Sequence, residues 1–213
     1  MRYDSIIFDM DGTLWDAVDS YAAIWNKTLH DCAVEREPVT RRELIALMGK
    51  PLKVIASILV PGLDGPALDA FFAQLEANDL EMMPRLGGRL YPGVEDTLRE
   101  LSGSGIPLYL VSNCGPEGLP MFMDYTGLRP YFRDWLSYGS TGCDKDVNIR
   151  TLVERYNLEK PLYVGDTVGD LRSTRRAGAS FAWASYGFGL DFNPSEADIV
   201  LAAFTDLPAA VRD

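Results

Sequence analysis

The stretch "SIIFDMDGTL" (residues 5–14) joins a short apolar run to two aspartates, Asp9 and Asp11, that are one residue apart. The apolar run has the composition of a buried strand, and Gly12 and Thr13 come directly after the second aspartate. Because Asp-Gly is a common turn pair, one interpretation is a solvated strand end followed by a turn. The other is a site that uses both carboxylates, and the rest of the chain has to distinguish the two.

Short apolar runs recur along the chain, and helical patterns separate them. The later runs are "PLYLVSN" (107–113), "WLSYG" (135–139), "PLYVGD" (161–166), "FAWAS" (181–185) and "DIVLAA" (198–203). Between them, "GVEDTLRELSGSG" places Val94, Leu98 and Leu101 on one helix face before glycines end it, and "NIRTLVERYNL" repeats the pattern. Strands that are apolar on both faces and alternate with helices indicate a parallel sheet covered on two sides. We therefore predict an α/β fold with a doubly wound parallel sheet.

Residues 16–87 do not follow this alternation. Their apolar residues recur at helical spacing through four successive segments, one of which opens with Thr40 and Glu43 in the spacing of a capping box. Ordinary crossover helices are one interpretation. We predict instead a helical cap domain over 16–87, inserted into a core domain formed by 1–15 and 88–213.

The bulk composition narrows the class of protein. The chain has 213 residues, of which 47% are hydrophobic and 24% charged, as in an ordinary globular protein. Its net charge of −11 argues against a nucleic-acid or anionic-membrane partner, although local cations can still bind a small anion. The three cysteines form no CxxC pair, and we find no signal peptide and no apolar stretch of membrane-spanning length. We predict a cytoplasmic protein.

Four groups of polar residues follow the ends of predicted strands. In chain order they are Asp9 with Asp11, Ser112 with Asn113, Lys145, and Asp166 with Asp170. Loops often carry any one of these residue types, so each group alone is a weak signal. The carboxyl ends of parallel strands meet at one edge of the sheet, where α/β proteins bind ligands. The four groups together therefore indicate an active site.

These segments resemble the four motifs of the haloacid dehalogenase superfamily: "DMDGT", a hydrophobic run into "SN", a later lysine, and "GDTVGD". Their order and spacing are similar to those of its phosphoglycolate phosphatase and β-phosphoglucomutase-like branch, over essentially the whole chain. One departure is Asp146, which follows the lysine where this branch often has proline. The resemblance implies a Rossmann-like core with the helical cap between the first and second motifs.

The first motif supplies the groups that phosphoryl transfer requires. Asp9 is the predicted nucleophile, which forms an aspartyl-phosphate and divides one difficult step into two. Asp11 is the predicted general acid and base. A divalent cation has to bridge carboxylate and phosphate, and Mg²⁺ prefers hard oxygen ligands. Asp9 and Asp166 offer carboxylates, and the resemblance implies the backbone carbonyl of Asp11 as the third protein ligand.

The remaining groups are expected to bind phosphate or to support the metal ligands. Gly12, Ser112 and Asn113 offer amides and a hydroxyl to phosphate oxygens, and Lys145 offers a positive charge. Asp170 comes four residues after its partner in "GDTVGD". We expect both aspartates on one face of a short helix, with Asp170 supporting the metal ligands.

The predicted function is magnesium-dependent hydrolysis of a small phosphomonoester. A phosphomutase of the β-phosphoglucomutase kind would use the same residues and return the phosphate to a sugar. Dehalogenation of a 2-haloacid would need Asp9 but neither metal nor a second acid, so Asp11 and Asp166 weigh against it. A binding module without activity is a further alternative, which an assay with and without magnesium would distinguish.

Specificity is expected to come from the cap, because the motif residues recognise only phosphate and metal. The segment "MGKPLK" (48–53) predicts a tight turn that presents Lys50 and Lys53. We predict that Lys50 contacts the part of the substrate beyond the phosphate. A cap lysine would also be needed by a phosphonate-cleaving enzyme, and an ordinary turn with solvated lysines is the other interpretation. Neither the substrate nor the oligomeric state follows from the sequence.

Overall fold

Six parallel strands form one sheet in the computed structural model, which describes residues 2–189 and 191–212. Two short antiparallel strands form a second sheet. In chain order the strands are β1 (Ser5–Phe8), β2 (Trp15–Asp16), β3 (Arg89–Leu90), β4 (Leu108–Ser112), β5 (Phe132–Ser137), β6 (Pro161–Gly165), β7 (Ser180–Ala184) and β8 (Ile199–Leu201). The strand order in the large sheet is β5-β4-β1-β6-β7-β8. The predicted doubly wound parallel sheet is confirmed.

Helices alternate with the strands of the large sheet, and four helices precede β3. In chain order they are α1 (Val18–Asp31), α2 (Arg41–Ile45), α3 (Leu52–Leu59), α4 (Gly65–Leu86), α5 (Val94–Gly103), α6 (Gly118–Thr126), α7 (Tyr138–Thr141), α8 (Lys145–Tyr156), α9 (Val168–Ala177) and α10 (Leu207–Arg212). The two helical segments expected from apolar spacing correspond to α5 and α8.

The direction of strand addition reverses beside β1. The chain adds β4 and β5 on one side of β1, and then β6, β7 and β8 on the other. Phe8, the last residue of β1, pairs with Leu110 on one side and with Val164 on the other. Such a switch point opens a crevice at the carboxyl ends of the strands, where open α/β sheets bind ligands.

Alternate residues of β1 pack against opposite faces of the sheet, because side chains alternate along a strand. Ile7 belongs to a buried cluster on one face that includes residues of α8 and α9; other members are Tyr109, Val111, Ile149, Leu152, Tyr163, Leu171 and Phe181. Phe8 points to the other face, where its ring centroid is 5.7 Å from that of Phe204. Apolar packing on both faces holds the ends of β1 and β6 in place.

The third strand of the large sheet lies earlier in the chain than predicted. The sequence pattern placed it at 135–139, whereas β5 spans Phe132–Ser137 and α7 begins at Tyr138. The reason is a capping box in which the Ser137 side chain accepts a hydrogen bond from the Ser140 amide at 3.1 Å. Ser137 is therefore the N-cap of α7 and ends the strand.

The chain divides into two compact units. One consists of the residues up to Asp16 and from Arg89 onward, and the other is Ala17–Gly88. Both internal boundaries lie one residue later in the chain than the predicted cap range of 16–87. The predicted outer ends at positions 1 and 213 lie outside the described residues.

The unit Ala17–Gly88 is helical and contains α1 to α4. The predicted capping box is present at the start of α2, where the Glu43 amide donates to Thr40 Oγ1 at 3.3 Å and the Thr40 amide donates to Glu43 Oε2 at 2.8 Å. A buried hydrogen bond of 3.0 Å from Asn78 to Thr28 joins α4 to α1. No helix in residues 2–189 and 191–212 has both the length and the apolar character that a membrane span requires.

Candidate active site

Asp9 and Asp166 follow two neighbouring strands at the switch point of the sheet. Each directly follows a buried strand, Asp9 after β1 and Asp166 after β6. The Asp9 amide donates to the carbonyl of Val164 at 2.9 Å, so the two strand ends remain in register. Both side chains are buried. This argues against the interpretation of a solvated strand end and favours side chains that line the crevice.

Lys145 joins two of the carboxylates at this edge. It is the first residue of α8, and its Nζ donates to Asp9 Oδ1 at 2.9 Å and to Asp170 Oδ1 at 2.6 Å. All three side chains are at most 5% exposed. Charged groups removed from water in this way require close partners, and such charge-assisted hydrogen bonds provide them. The structure therefore brings together Asp9, Lys145 and Asp170.

Asp170 does not share a helix with Asp166, contrary to the sequence prediction. Thr167 is the N-cap of α9 with extended backbone angles, so the helix begins at Val168 and Asp166 stays outside it. Asp170 is the third residue of that helix, and its Oδ2 accepts hydrogen bonds from the Thr167 amide at 2.9 Å and hydroxyl at 2.6 Å. Both oxygens of Asp170 thus have protein partners.

Asp166 has one carboxylate oxygen with a partner and one without. Its Oδ2 accepts a hydrogen bond from the Phe188 amide at 2.7 Å, and its backbone carbonyl accepts one from Trp183 Nε1 at 3.0 Å. Its Oδ1 is buried and has no hydrogen-bond partner among residues 2–189 and 191–212. One ligand atom from each of Asp9, Asp166 and Asp170 lies within 4.8 Å of the others. An all-oxygen set with an unpartnered buried oxygen fits a hard divalent cation.

The electrostatics of the site also favour an added cation. Burial raises the pKa of Asp9 to about 7; Lys145 opposes this shift and the charge of Asp170 adds to it. Burial, with the charges of Asp170 and Asp9, holds the pKa of Asp166 well above its usual range. The single ammonium group of Lys145 does not balance three carboxylates. A divalent cation among these oxygens would favour their ionised forms.

The chain turns directly after Asp9. The Met10 carbonyl accepts the Leu14 amide at 2.9 Å, and Gly12 has a φ of +81°, a left-handed conformation that glycine adopts without strain. A Cβ at Gly12 would clash with the Asp166 carboxylate and the Phe188 ring. Asp11 is half-buried, and its Oδ1 accepts a hydrogen bond from Trp15 Nε1 at 3.0 Å.

The other predicted phosphate-binding residues follow β4, the neighbour of β1. Ser112 is the last residue of β4 and is buried, and its Oγ accepts the Cys114 amide at 3.3 Å. Asn113 comes next and is half-buried. In the β1–β4 register Phe8 pairs with Leu110, which puts Ser112 level with the residues just after β1. Lys50 is exposed in the segment between α2 and α3, and its role in specificity stays a prediction.

Sequence reasoning missed the residues that surround Asp166. Trp183 and the Phe188 amide hold it, and Gly187 and Gly189 are so close that a Cβ on either would clash with Asp166 atoms. The available signal was "YGFG" (186–189), because two glycines around one residue after a strand indicate close backbone approach.

Lys145→Met is expected to destabilise the metal-free protein by about 3–5 kcal/mol, because it leaves buried carboxylates without their cationic partner. Chemical denaturation measures the change in free energy of unfolding. Lys27→Met is the matched control: Lys27 pairs with Asp31 at 2.6 Å on an exposed helix surface, where such pairs contribute at most about 1 kcal/mol. Equal losses in the two variants would contradict a buried charge cluster.

Three buried carboxylates and a lysine thus lie at the switch point of a parallel sheet, where open α/β sheets bind ligands. A family model described as "Haloacid dehalogenase-like hydrolase" matches residues 6–184, so the chain belongs to that family. The resemblance noted from the motifs is thereby confirmed, and so is the Rossmann-like α/β fold.

Curated relatives and solved structures agree with this assignment. The chain is 28% identical over 220 residues to a phosphoglycolate phosphatase of Aliivibrio fischeri, covering 97% of this chain and 95% of that protein. A crystal structure of a predicted phosphoglycolate phosphatase from Haemophilus somnus superposes with a TM-score of 0.87 at 22% identity, over 99% and 98% of the two chains. The structure of CbbY from Rhodobacter sphaeroides in complex with phosphate gives 0.82 at 19% identity, over 96% of each. The predicted class of enzyme, a phosphatase of this family, is confirmed.

Proposed function

We propose that the chain is a magnesium-dependent phosphatase that hydrolyses a small phosphomonoester through an aspartyl-phosphate on Asp9. The observation that carries the proposal is the buried cluster at the switch point. In it Lys145 donates hydrogen bonds to Asp9 and Asp170, and one buried oxygen of Asp166 has no partner among the described residues. A solvated strand end would need neither the burial nor the lysine.

The first step is attack of Asp9 on the phosphorus atom of the substrate. Lys145 donates to Asp9 Oδ1, so we assign Oδ2 as the attacking oxygen. The bond between phosphorus and the leaving oxygen breaks, and the Asp11 carboxylic acid protonates that oxygen. Lys145 and the amides that follow β1 and β4 neutralise charge on the phosphoryl oxygens.

The second step is hydrolysis of the aspartyl-phosphate. Asp11, now a carboxylate, accepts a proton from water while the water oxygen attacks phosphorus. The bond from phosphorus to Asp9 Oδ2 breaks, which releases inorganic phosphate and regenerates both aspartates. The same residue thus delivers and recovers one proton in each turnover.

Asp9, Asp166 and the backbone carbonyl of Asp11 are the residues that would hold Mg²⁺. When bound, the cation would offset the repulsion between the negatively charged nucleophile and the phosphate. Mg²⁺ usually keeps several waters, so few protein ligands suffice. Asp170 has partners on both oxygens, which favours a supporting role in which it orients Lys145 and balances its charge.

Phosphoglycolate is the first substrate to test, because relatives that match nearly the whole chain carry that activity in their names. Phosphoglycolate carries both a carboxylate and a phosphate. A protein of net charge −11 can bind such an anion only where local cations and amides contact it. A panel of phosphorylated metabolites that includes sugar phosphates would separate a phosphatase from a phosphomutase, which returns phosphate to a sugar instead of releasing it. Release of halide from a 2-haloacid would favour the dehalogenase instead.

Turnover of a chromogenic phosphate ester is expected to require a divalent cation and to stop in excess chelator. Asp166→Ala should weaken Mn²⁺ binding, measured by calorimetry, more than Asp170→Ala does. The first variant removes a proposed metal ligand, whereas loss of a residue that only supports the ligands typically lowers metal affinity by about 10–100-fold. Asp134→Ala is the control, since Asp134 lies on β5, pairs with Arg155 of α8 and is not part of the buried carboxylate cluster. Full turnover in chelator would refute the proposed metal dependence, and so would unchanged Mn²⁺ affinity in Asp166→Ala.

A further inference from the structure

Asp166 is contacted by one segment of chain outside the four motifs, which we call the Asp166 collar: Trp183 together with residues 186–189. The Trp183 indole donates to the Asp166 backbone carbonyl at 3.0 Å, and the Phe188 amide donates to its Oδ2 at 2.7 Å. The indole itself is fixed, because its ring stacks on that of Phe192 with centroids 4.5 Å apart. The collar therefore contacts both the main chain and the side chain of Asp166.

Two glycines allow the collar to approach this closely. A Cβ at Gly187 would clash with the Gly12 carbonyl and with Asp166 Cβ, and a Cβ at Gly189 would clash with the Asp166 carbonyl. Neither collar glycine has a left-handed φ, so space and not backbone conformation requires glycine there. The collar is thus packed directly against the backbone of both Gly12 and Asp166.

A further hydrogen bond ties the collar to the loop that follows β1. The Tyr186 hydroxyl donates to the Thr13 carbonyl at 2.9 Å, and the Tyr186 ring lies edge-on to Tyr91 with centroids 4.9 Å apart. The loop that carries the two motif aspartates and the loop that carries Asp166 therefore both contact one segment. This arrangement fixes the relative position of the two loops.

The hydrogen bonds of the collar decide which oxygen of Asp166 is left for a ligand. Oδ2 accepts a hydrogen bond from the Phe188 amide, whereas Oδ1 is buried and has no partner in the part of the chain that the structure describes. Leaving a buried acceptor unsatisfied costs stability, and such groups persist where a ligand completes them. The Trp183 hydrogen bond fixes the main chain of Asp166, and the Phe188 hydrogen bond fixes its Oδ2. Together they restrict rotation of the carboxylate, so Oδ1 cannot readily turn toward another donor.

We propose that the Asp166 collar is a positioning device that sets the affinity of the site for its divalent cation by presenting Asp166 Oδ1. Trp183 and the Phe188 amide act through Asp166 and touch no substrate, so they are positioning groups. The inference rests on the proposed metal dependence and goes beyond it, because it assigns a role to a segment outside the four motifs.

Trp183→Phe tests the inference in the intact 213-residue chain, because phenylalanine keeps an aromatic ring against Phe192 and removes the N–H donor. Mn²⁺ binding by calorimetry should weaken about 10-fold, within the range typical for partners of metal ligands. The Mg²⁺ concentration for half-maximal activity should rise by the same factor, and kcat at saturating Mg²⁺ should fall much less. The metal-free melting temperature should change little. Trp135→Phe, the same substitution on β5, is the matched control.

Gly189→Ala provides a second variant, for which Gly103→Ala at an open position in α5 is the control. The Cβ at 189 should displace Asp166 and weaken Mn²⁺ binding, while Gly103→Ala should not. Unchanged Mn²⁺ affinity in Trp183→Phe and Gly189→Ala would overturn the inference, as would a loss confined to thermal stability. If Asp166→Ala also leaves affinity unchanged, the proposed metal dependence fails with it. If Asp166→Ala weakens binding and the collar variants do not, only the collar inference fails.

Discussion

Asp9→Asn is expected to reduce turnover by about 10⁴-fold or more while the protein stays folded. Removing the nucleophile from a set of catalytic residues that act together has effects of that order. An amide oxygen is a far poorer nucleophile than a carboxylate, so the aspartyl-phosphate cannot form. The fold should tolerate the change because the asparagine oxygen can still accept the hydrogen bond from Lys145, and Asp170 remains as the charge partner of that lysine. Phosphate release and circular dichroism measure the two outcomes.

A trapping experiment separates loss of the nucleophile from general damage to the site. Beryllium fluoride with Mg²⁺ should form a stable complex with the wild-type protein, as a mimic of the phosphorylated aspartate, and should fail to do so with Asp9→Asn. Asp134→Asn is the matched control, because that aspartate lies on β5 away from the crevice. Substantial turnover by a folded Asp9→Asn protein would refute the covalent mechanism, and would leave direct attack by water as the alternative.

The sheet and the site positions were predictable from sequence because both depend on short-range patterns. A strand buried on both faces shows as an unbroken apolar run, as in residues 161–165, and its end is marked by the first charged residue, Asp166. Parallel strands share one carboxyl edge, so residues far apart in the chain had to meet there. The contact between Asp9 and Lys145, 136 positions apart, lies at this edge, although Lys145 reaches it from the start of α8 and not from a strand end.

The errors came from local hydrogen bonds that compete with periodicity. Apolar spacing placed a strand over 135–139, but the Ser137 capping box starts a helix at Tyr138. Spacing of four residues placed Asp166 and Asp170 on one helix face, but Thr167 caps α9 and excludes Asp166. In both cases a hydroxyl side chain sets the helix start, and a single such residue has little effect on a pattern averaged over a window.

The Asp166 collar was not predictable for a different reason. Trp183 has an ordinary strand pattern around it, and its role depends on the indole N–H reaching the carbonyl of Asp166, 17 positions earlier and just after the neighbouring strand β6. The Phe188 contact uses a backbone amide, which every residue type except proline provides. The identity of residue 188 therefore does not reveal this contact in the sequence. The signal that remains is the pair of glycines beside it, Gly187 and Gly189, whose small size allows the close approach.

Asp11→Asn is expected to lower kcat/KM for an alkyl phosphate by about 10²–10⁴-fold, the usual contribution of general acid catalysis. The same substitution should lower kcat/KM for nitrophenyl phosphate much less, because nitrophenolate leaves without protonation. The asparagine oxygen can still accept the hydrogen bond from Trp15 Nε1, so the position of the side chain should be retained. Mn²⁺ binding should persist, because the proposed ligand at this position is the backbone carbonyl.

The leaving-group comparison also separates the two roles of Asp11. The parameter kcat/KM reports the first step, in which Asp11 is the acid, whereas hydrolysis of the aspartyl-phosphate needs it as the base. With nitrophenyl phosphate the variant should therefore release about one equivalent of nitrophenolate rapidly and then turn over slowly, because the second step has lost its base. Asp134→Asn should show neither the leaving-group dependence nor the burst. Equal losses of kcat/KM on both esters would remove Asp11 from the acid role, and a slow steady state without a burst would remove it from the base role.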